Sequence, residues 1–395
     1  MTSAWLLPEH IADVLPTQAR RLETLRRRLL DCAEAYGYEL VMPPLLEHLE
    51  SLLSGTGRDL DLQTFKLVDQ MSGRLLGLRA DTTPQAARID AHLLNHEGVT
   101  RLCYCGPVLH TRAAGLQSSR EPLQFGAELF GHEGLEADLE AAELALDCLS
   151  RAGHRELVID LADARVLRGV LAGVPAAPER LQDIVAALAA KDAAGLEVLL
   201  EGMPEATRAP LLQLLDLYGG DEILATATQV LPDRELVRTA LRDLAWLAAH
   251  LRAAYPEVRI GFDLSDMGGY AYYSGPRFAV YGAGSTDALA RGGRYDEVGA
   301  IFGRNRPAVG FSLDLKLLVQ TLAPARPVPA VRAPWSEDPG LRSTIRRLRD
   351  EGRVVMAVLP GHEPEALSFR FDHELVADGA KGWALRPLPN SSQGS

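Results

Sequence analysis

The sequence predicts an α+β fold in which an antiparallel sheet is flanked by helices and interrupted by a helical insertion. β-rich runs stand on both sides of an Ala/Leu-rich stretch with continuous helical periodicity, residues 163–253. Several of these runs follow one another directly, which is typical of an antiparallel sheet rather than a parallel doubly wound one. The 395 residues also exceed what one hydrophobic core usually serves, so we expect at least one smaller domain.

The N-terminal part begins with a predicted amphipathic helix at 17–36, which carries a stripe of leucines and ends before Gly37. Two β-rich runs on either side of Ser72-Gly73 predict a hairpin. The second run leads through a short loop into a helix that has Pro84 in its first turn.

Two further strands, RLCYCGPVLH and PLQFGAELFG, are predicted to pair in the antiparallel sense across a polar loop at 111–120, and a helix follows at 136–151. After the insertion, strand character returns in VRIGFDLSD, YAYYSGPRFAVYGAG and AVGFSLD. We therefore expect one core formed by 1–162 and 254–322, with the helical segment 163–253 inserted into it.

The C-terminal end of the chain predicts a separate region. A Pro/Ala-rich stretch at 323–335 is typical of a linker. The residues after it, 336–395, are predicted to form a small α/β tail in the order helix, strand (RVVMAVLP), helix.

The composition argues against several classes of protein. Fractions of 47% hydrophobic and 24% charged residues are those of an ordinary globular protein, and no apolar run approaches the ~18–20 residues of a membrane span. The N-terminus lacks the pattern of a secretory signal, so we expect a cytoplasmic protein. Four cysteines are too few for a disulfide framework, and we expect reduced thiols, no metal site and no cofactor. A net charge of -12 does not favour a nucleic-acid partner.

Five segments carry a resemblance to a known family. They are LRADTTPQAAR (78–88), GPVLH…REPLQFGAELFG (106–131), GGYAYYSG (268–275), RGGRYDEV (291–298) and PAVGFSLDLKLL (307–318). In this order they resemble the catalytic domain of histidyl-tRNA synthetase, a class II aminoacyl-tRNA synthetase, over most of residues 1–320. The first segment is similar to the family's Arg-Pro-Glu-Gly-Thr loop, the second to motif 2, the third to the histidine-specific tyrosine loop and the last to motif 3.

The resemblance implies a site for free histidine. Such a site needs a carboxylate or amide for the α-ammonium group and polar groups for the imidazole nitrogens. Asp81 and Thr83 match the positions at the α-ammonium end, with Asp81 a shortened version of the family's Glu. Gln124 and Glu128 match the two motif 2 positions that point into the pocket. Their spacing of four keeps both on one strand face.

The tyrosine pair of the histidine-specific loop completes this predicted site. Tyr272 and Tyr273 match the pair, and Tyr273 is the candidate for the imidazole contact. Taken alone, Gln124 and Glu128 are also compatible with ordinary solvent-facing strand positions. The matching segments around them favour the pocket.

The positions that serve ATP chemistry differ from the family's pattern. Adenylate formation needs cationic groups fixed around the polyphosphate, and the family supplies three arginines. The matching positions in this chain are His110, Gly268 and Leu317, with Lys316 beside the last on a different helical face. We therefore expect no synthetase activity.

These traits resemble a second family, the regulatory subunits of short-form ATP phosphoribosyltransferase. The resemblance implies a noncatalytic subunit that activates a separate catalytic subunit and mediates feedback inhibition by histidine at the first step of histidine biosynthesis. It also implies a dimeric core, and tRNA is not an expected partner. Two alternatives stay open: an active histidyl-tRNA synthetase with unusual cations, and an adaptor on the same fold that binds no ligand.

Overall fold

The computed structural model describes residues 6–53, 58–113, 115, 118–174, 177–266, 272–285, 287–296, 304–322, 326–362, 368–379 and 382–389. The chain divides into two compact units. One comprises residues 1–13 and 22–322, and the other comprises 14–21 and 323–395.

The first part of the chain supplies two sheets and their helices. Its elements are α1 (Pro16–Ala35), β1 (Glu39–Leu40), β2 (Leu46–His48), α2 (Leu49–Leu53), α3 (Arg58–Gln63), β3 (Phe65–Val68), β4 (Leu75–Leu78), α4 (Thr83–Arg88), a π-helical turn (Ile89–Leu94), β5 (Thr100–Pro107), β6 (Leu123–Phe130), α5 (Leu135–Ala152) and β7 (Val158–Asp163). The predicted first helix is confirmed within a residue at each end, and it stops before Gly37, whose φ is +81°. The predicted hairpin is also confirmed, because β3 and β4 pair antiparallel.

Helices fill almost all of the segment predicted to be a helical insertion. They are α6 (Ala164–Leu171), α7 (Pro178–Ala189), α8 (Ala193–Leu199), α9 (Glu205–Gln213) with a 3-10 turn (Leu214–Asp216), α10 (Glu222–Val230) and α11 (Glu235–Ala254). The short strand β8 (Tyr218–Gly219) interrupts them and pairs with the strand that follows α11. This segment belongs to the same compact unit as the sheet around it.

The rest of that unit returns to strand structure. Its elements are β9 (Arg259–Asp263), β10 (Pro276–Tyr281), β11 (Ala290–Arg294), β12 (Ala308–Asp314) and α12 (Leu315–Thr321). Together with earlier strands they form a nine-stranded sheet in the order β1-β5-β6-β12-β11-β10-β7-β9-β8. The central pairs are antiparallel as predicted, while β1 pairs parallel with β5 and β7 pairs parallel with β9.

The predictions for the C-terminal region need two corrections. Its elements are β13 (Val328–Pro334), α13 (Pro339–Asp350), β14 (Val354–Val358), β15 (Phe369–Ala377) and β16 (Trp383–Pro387), which form one four-stranded sheet with a helix. The predicted linker 323–335 therefore contains a strand, and the residues described after β14 form strands where the last helix of the tail was predicted.

The residues explain both errors. Pro329 indicated a linker, but it pairs with β15 at a position that lies before the ladder to β14 begins. A proline is tolerated there because no second neighbour needs its missing N–H. In β15 the charged residues obscure the strand pattern. Glu374 is held by Arg332 and Arg386 on the two neighbouring strands, which are contacts between segments distant in sequence.

No helix among the described residues is long and apolar enough to cross a membrane. The same part of the chain contains no group of three or more His, Cys, Asp or Glu residues that could hold a metal ion. The four cysteines are free thiols.

Candidate functional site

One face of the large sheet forms the floor of a cavity. The ladder registers align Glu128 on β6 with Gly310 on β12, Gly310 with Gly293 on β11, and Gly293 with Arg277 on β10. Side chains directly opposite one another in a sheet share a face. A carboxyl group and a guanidinium group therefore lie on the same face of the sheet, with two glycines between their positions.

The cavity has a volume of about 470 Å³, which is within the range of small-molecule sites. Its walls combine acidic, aromatic, basic and small residues. They are Asp81, Thr83, Glu128, Ala189, Asp266, Tyr272, Tyr273, Arg277, Arg291, Tyr295, Gly310, Phe311 and Ser312. Five of the six predicted site residues line it directly. The sixth, Gln124, contacts the lining residue Asp81.

Glu128 is the most deeply buried acid of the cavity, with only 1% of its surface exposed. The Tyr104 hydroxyl donates a hydrogen bond of 2.9 Å to Glu128 Oε1, and the Tyr295 hydroxyl donates to Oε2. Burial raises the pKa of Glu128 to about 8, although both tyrosine hydrogen bonds act in the opposite direction. Without a ligand, most Glu128 side chains therefore hold a proton at pH 7.

Asp81 organises the second acidic position. Its Oδ1 accepts hydrogen bonds from the Thr83 amide (3.1 Å), the Thr83 hydroxyl (3.2 Å) and Gln124 Nε2 (2.7 Å). Gln124 is held in turn, because its Oε1 accepts a 3.0 Å bond from the Thr82 amide. These bonds connect the N-terminus of α4 to β6. Asp81, Thr83 and Gln124 therefore form one rigid polar cluster.

The tyrosine pair forms another part of the wall. The Tyr272 ring stacks on Tyr295 at 5.0 Å between centroids and meets the Tyr273 ring edge-on at 5.3 Å. Arg168 Nη2 donates a 2.7 Å hydrogen bond to the Tyr273 carbonyl, which anchors the chain at this point. Burial raises the pKa of Tyr273 to about 12, so its hydroxyl is protonated at neutral pH and can donate or accept.

Several residues of the cavity were not predicted from the sequence. Tyr104 and Tyr295 hold Glu128, and Arg277 and Asp266 form an ion pair of 2.7 Å at the other end of the floor. Tyr295 lies in the RGGRYDEV segment that supports the resemblance, and Tyr104 lies on the strand that was predicted to pair with β6. Both tyrosines could have been found from the sequence by looking for polar side chains in these neighbouring segments that share a sheet face with Glu128.

The three positions that differ from the synthetase pattern lie elsewhere or outside the described residues. His110 is half-buried, with Nε2 2.9 Å from the Ala80 carbonyl. Leu317 is half-buried on α12, and Lys316 beside it binds Glu121 at 3.2 Å. Gly268 lies outside the described residues. Neither His110 nor Leu317 is part of the described cavity wall.

Comparisons with known proteins agree with this fold. A family model described as Histidyl-tRNA synthetase matches residues 10–318. A histidyl-tRNA synthetase from Nostoc sp. PCC 7120 shares the fold at a TM-score of 0.76 with 20% identity, covering 95% of this chain and 92% of that one. The fold and the cavity thus define a protein with the class II core of the histidyl-tRNA synthetases.

Further matches narrow this class. A second family model, described as ATP phosphoribosyltransferase subunit HisZ C-terminal domain, matches residues 328–386. An ATP phosphoribosyltransferase regulatory subunit of Verminephrobacter eiseniae is 61% identical, covering 98% of this chain and 100% of that protein, and one of Variovorax paradoxus is 61% identical with the same coverage. A solved regulatory subunit/histidyl-tRNA synthetase from Bacillus halodurans has a TM-score of 0.82 and 26% identity over 94% of this chain and 98% of that one. The chain belongs to the family of ATP phosphoribosyltransferase regulatory subunits. Its function is therefore that of a regulatory subunit in histidine biosynthesis.

Proposed function

We propose that the cavity binds free histidine and that this binding is the signal for feedback inhibition. The observation that carries the proposal is that Asp81, Thr83 and Glu128 line one cavity, with Gln124 bonded to Asp81 behind them. Asp81 supplies an acceptor for the α-ammonium group, and the Thr83 hydroxyl lies beside it. Glu128 and the Tyr273 hydroxyl are the polar groups available to the imidazole nitrogens.

The polar groups of the cavity are held in place before any ligand arrives. Glu128 is fixed by Tyr104 and Tyr295, and Asp81 is fixed by Thr83 and Gln124. Preorganised partners reduce the entropy that binding must overcome. This arrangement supports selective binding of one small zwitterion.

The chain acts, in this proposal, without forming an adenylate. Transition states of phosphoryl chemistry need cationic donors fixed in place, and one lost donor costs roughly 10²–10³ in rate. A half-buried histidine and a half-buried leucine occupy two of the three family arginine positions, His110 and Leu317. Histidine-dependent exchange between ATP and pyrophosphate should therefore stay at background, and a signal above background would contradict this part of the proposal.

The partner follows from the relatives, which are named as regulatory subunits of ATP phosphoribosyltransferase. We infer that this chain dimerises through its synthetase-like core, 1–162 with 254–322, and activates a short-form catalytic subunit in the cytoplasm. Transfer RNA is not a partner in this scheme. Histidine and the partner's substrates must then weaken each other's binding reciprocally, with a typical coupling of ~1–3 kcal/mol.

The test is a phosphoribosyltransferase assay with the short catalytic subunit from the same organism, with and without this chain and with and without millimolar histidine. We expect activity to rise with this chain and to fall with histidine. Glu128→Ala should remove most of the histidine effect, whereas the exposed control Glu257→Ala should leave it intact. If the catalytic subunit behaves the same with and without this chain, the proposed partnership is wrong.

A further inference from the structure

The floor of the cavity is bounded by groups of different charge at its two ends. Glu128 and Arg277 lie in the same cross-strand row, three strand spacings or about 14 Å apart between their Cα atoms. The two positions between them are Gly310 and Gly293, which have no side chains. The Glu128 carboxyl group extends over Gly310, and the cavity lies between this carboxyl group and the Arg277 guanidinium group.

Arg277 is buried, with 4% of its surface exposed, and its guanidinium group is only partly satisfied. Nη1 and Nη2 donate 2.7 Å hydrogen bonds to the carbonyl and to Oδ2 of Asp266. The guanidinium carbon lies 5.2 Å from the centroid of the Tyr273 ring. Nε is buried and has no hydrogen-bond partner among the described residues. A ligand atom that accepts a hydrogen bond would satisfy it.

We propose that Arg277 makes the cavity selective for an uncharged ring that carries an acceptor nitrogen, which for histidine is the neutral imidazole. This inference rests on the proposed histidine site and adds the charge state that the site accepts. A guanidinium group stays positively charged at every physiological pH. It can donate to the unprotonated nitrogen of imidazole, but it repels imidazolium and the cationic side chains of lysine and arginine.

The other charged and titratable groups around Arg277 do not remove this preference. Asp266 neutralises part of the charge but is already engaged by the guanidinium group. Tyr273 presents its ring and a protonated hydroxyl, and Arg291 on β11 adds a second positive charge at the exposed rim. Among the described residues, two further acids line the cavity, Glu128 and Asp81, and Asp81 is engaged by Thr83 and Gln124. Burial favours the neutral form of Glu128, and this effect outweighs the opposing effect of the two tyrosine hydrogen bonds.

Calorimetry on the purified full chain tests the inference with two ligands, histidine and 1,2,4-triazole-3-alanine, at pH 7.5 and pH 5.5. The triazole ring stays uncharged at both pH values. Any change in the Kd of the analogue between them therefore comes from titration of the protein. Since imidazole has a pKa of about 6.5, its neutral fraction falls to about a tenth at pH 5.5. We expect the Kd of histidine to rise about tenfold more than the Kd of the analogue.

Arg277→Gln should reduce this difference to less than about threefold, because imidazolium is then tolerated. The double variant Arg277→Gln/Asp266→Asn should do the same without leaving an unpaired carboxylate. Removing an exposed arginine of α11, in Arg242→Gln, should keep the full difference. The inference is overturned if Arg277→Gln and the double variant both preserve the full difference, whatever the effect of Arg291→Gln.

The wild-type protein tests the inference by itself, even if the variants do not fold. If histidine binds at pH 7.5 and its Kd changes between the two pH values no more than that of the analogue, the charge selection is wrong and the histidine site stands. If neither ligand gives heat at pH 7.5, the proposed histidine site itself fails.

Discussion

The pKa of Glu128 makes the stability of the protein depend on pH in a way that one substitution should remove. Burial raises this pKa from the ordinary 4.5 to about 8 in the folded protein. The folded state therefore binds the proton more tightly than the unfolded state between these two pH values. Stability from this group is fully present below pH 4.5 and is lost as the pH rises through 8.

The size of the effect follows from the two pKa values. A difference of one pKa unit corresponds to 1.36 kcal/mol, so the full loss from Glu128 has an upper limit of about 5 kcal/mol. About 2.5 kcal/mol of this falls between pH 6 and pH 9. Glu128→Gln keeps the shape of the side chain but carries no charge at any pH. As the pH rises from 6 to 9, the free energy of unfolding should fall by about 2.5 kcal/mol more in the wild type than in the variant.

Urea denaturation at pH 6, 7.5 and 9, without histidine, measures this difference. The control is Glu257→Gln, which changes an exposed carboxylate to the same amide and should follow the wild type. Parallel stability profiles of the wild type and Glu128→Gln would refute the reasoning, because they would mean that Glu128 titrates in the folded protein as it does in the unfolded chain.

Two further substitutions test the polar cluster and the glycine floor. Asp81→Asn should weaken histidine binding about 10–100-fold by calorimetry, because it removes the charge from a hydrogen bond worth roughly 1.5–3 kcal/mol, and unchanged affinity would exclude Asp81 from the site. Gly310→Ala should lower the unfolding free energy by about 1–3 kcal/mol and abolish histidine binding, because the new methyl group would lie against Glu128 Oε2 and the Ala127 carbonyl. The control Gly98→Ala places its methyl group in open space and should leave the binding of histidine unchanged.

The periodic patterns of the sequence were sufficient to predict most helices and strands of the large unit. The antiparallel pairing of β5 with β6, the β3–β4 hairpin and the helices of 163–253 were all predicted, because each depends on local alternation or helical spacing. The C-terminal sheet was predicted less well. Its strand β15 combines charged residues with apolar ones, and the reason for this mixture is Glu374, which pairs with arginines on two other strands.

Some residues of the candidate site could likewise be predicted from the sequence, and others could not. Asp81 and Thr83 lie within one short segment, and Gln124 and Glu128 share a strand face at a spacing of four. The match of these segments to the synthetase motifs was enough to select all four. The groups that give Glu128 its environment are far away in sequence. Tyr104 is separated from it by 24 residues and Tyr295 by 167. The raised pKa of Glu128 exists because folding buries these three side chains together.

Residue types and their local spacing established the kind of fold, the family resemblance and the acidic half of the cavity. The placement of Arg277 opposite Glu128 depends on the register of four strands, β6, β12, β11 and β10. A shift of one residue in any of these ladders would turn one of the two side chains to the other face of the sheet. Local pattern cannot specify that register, because it is set by pairing between distant segments of the folded chain.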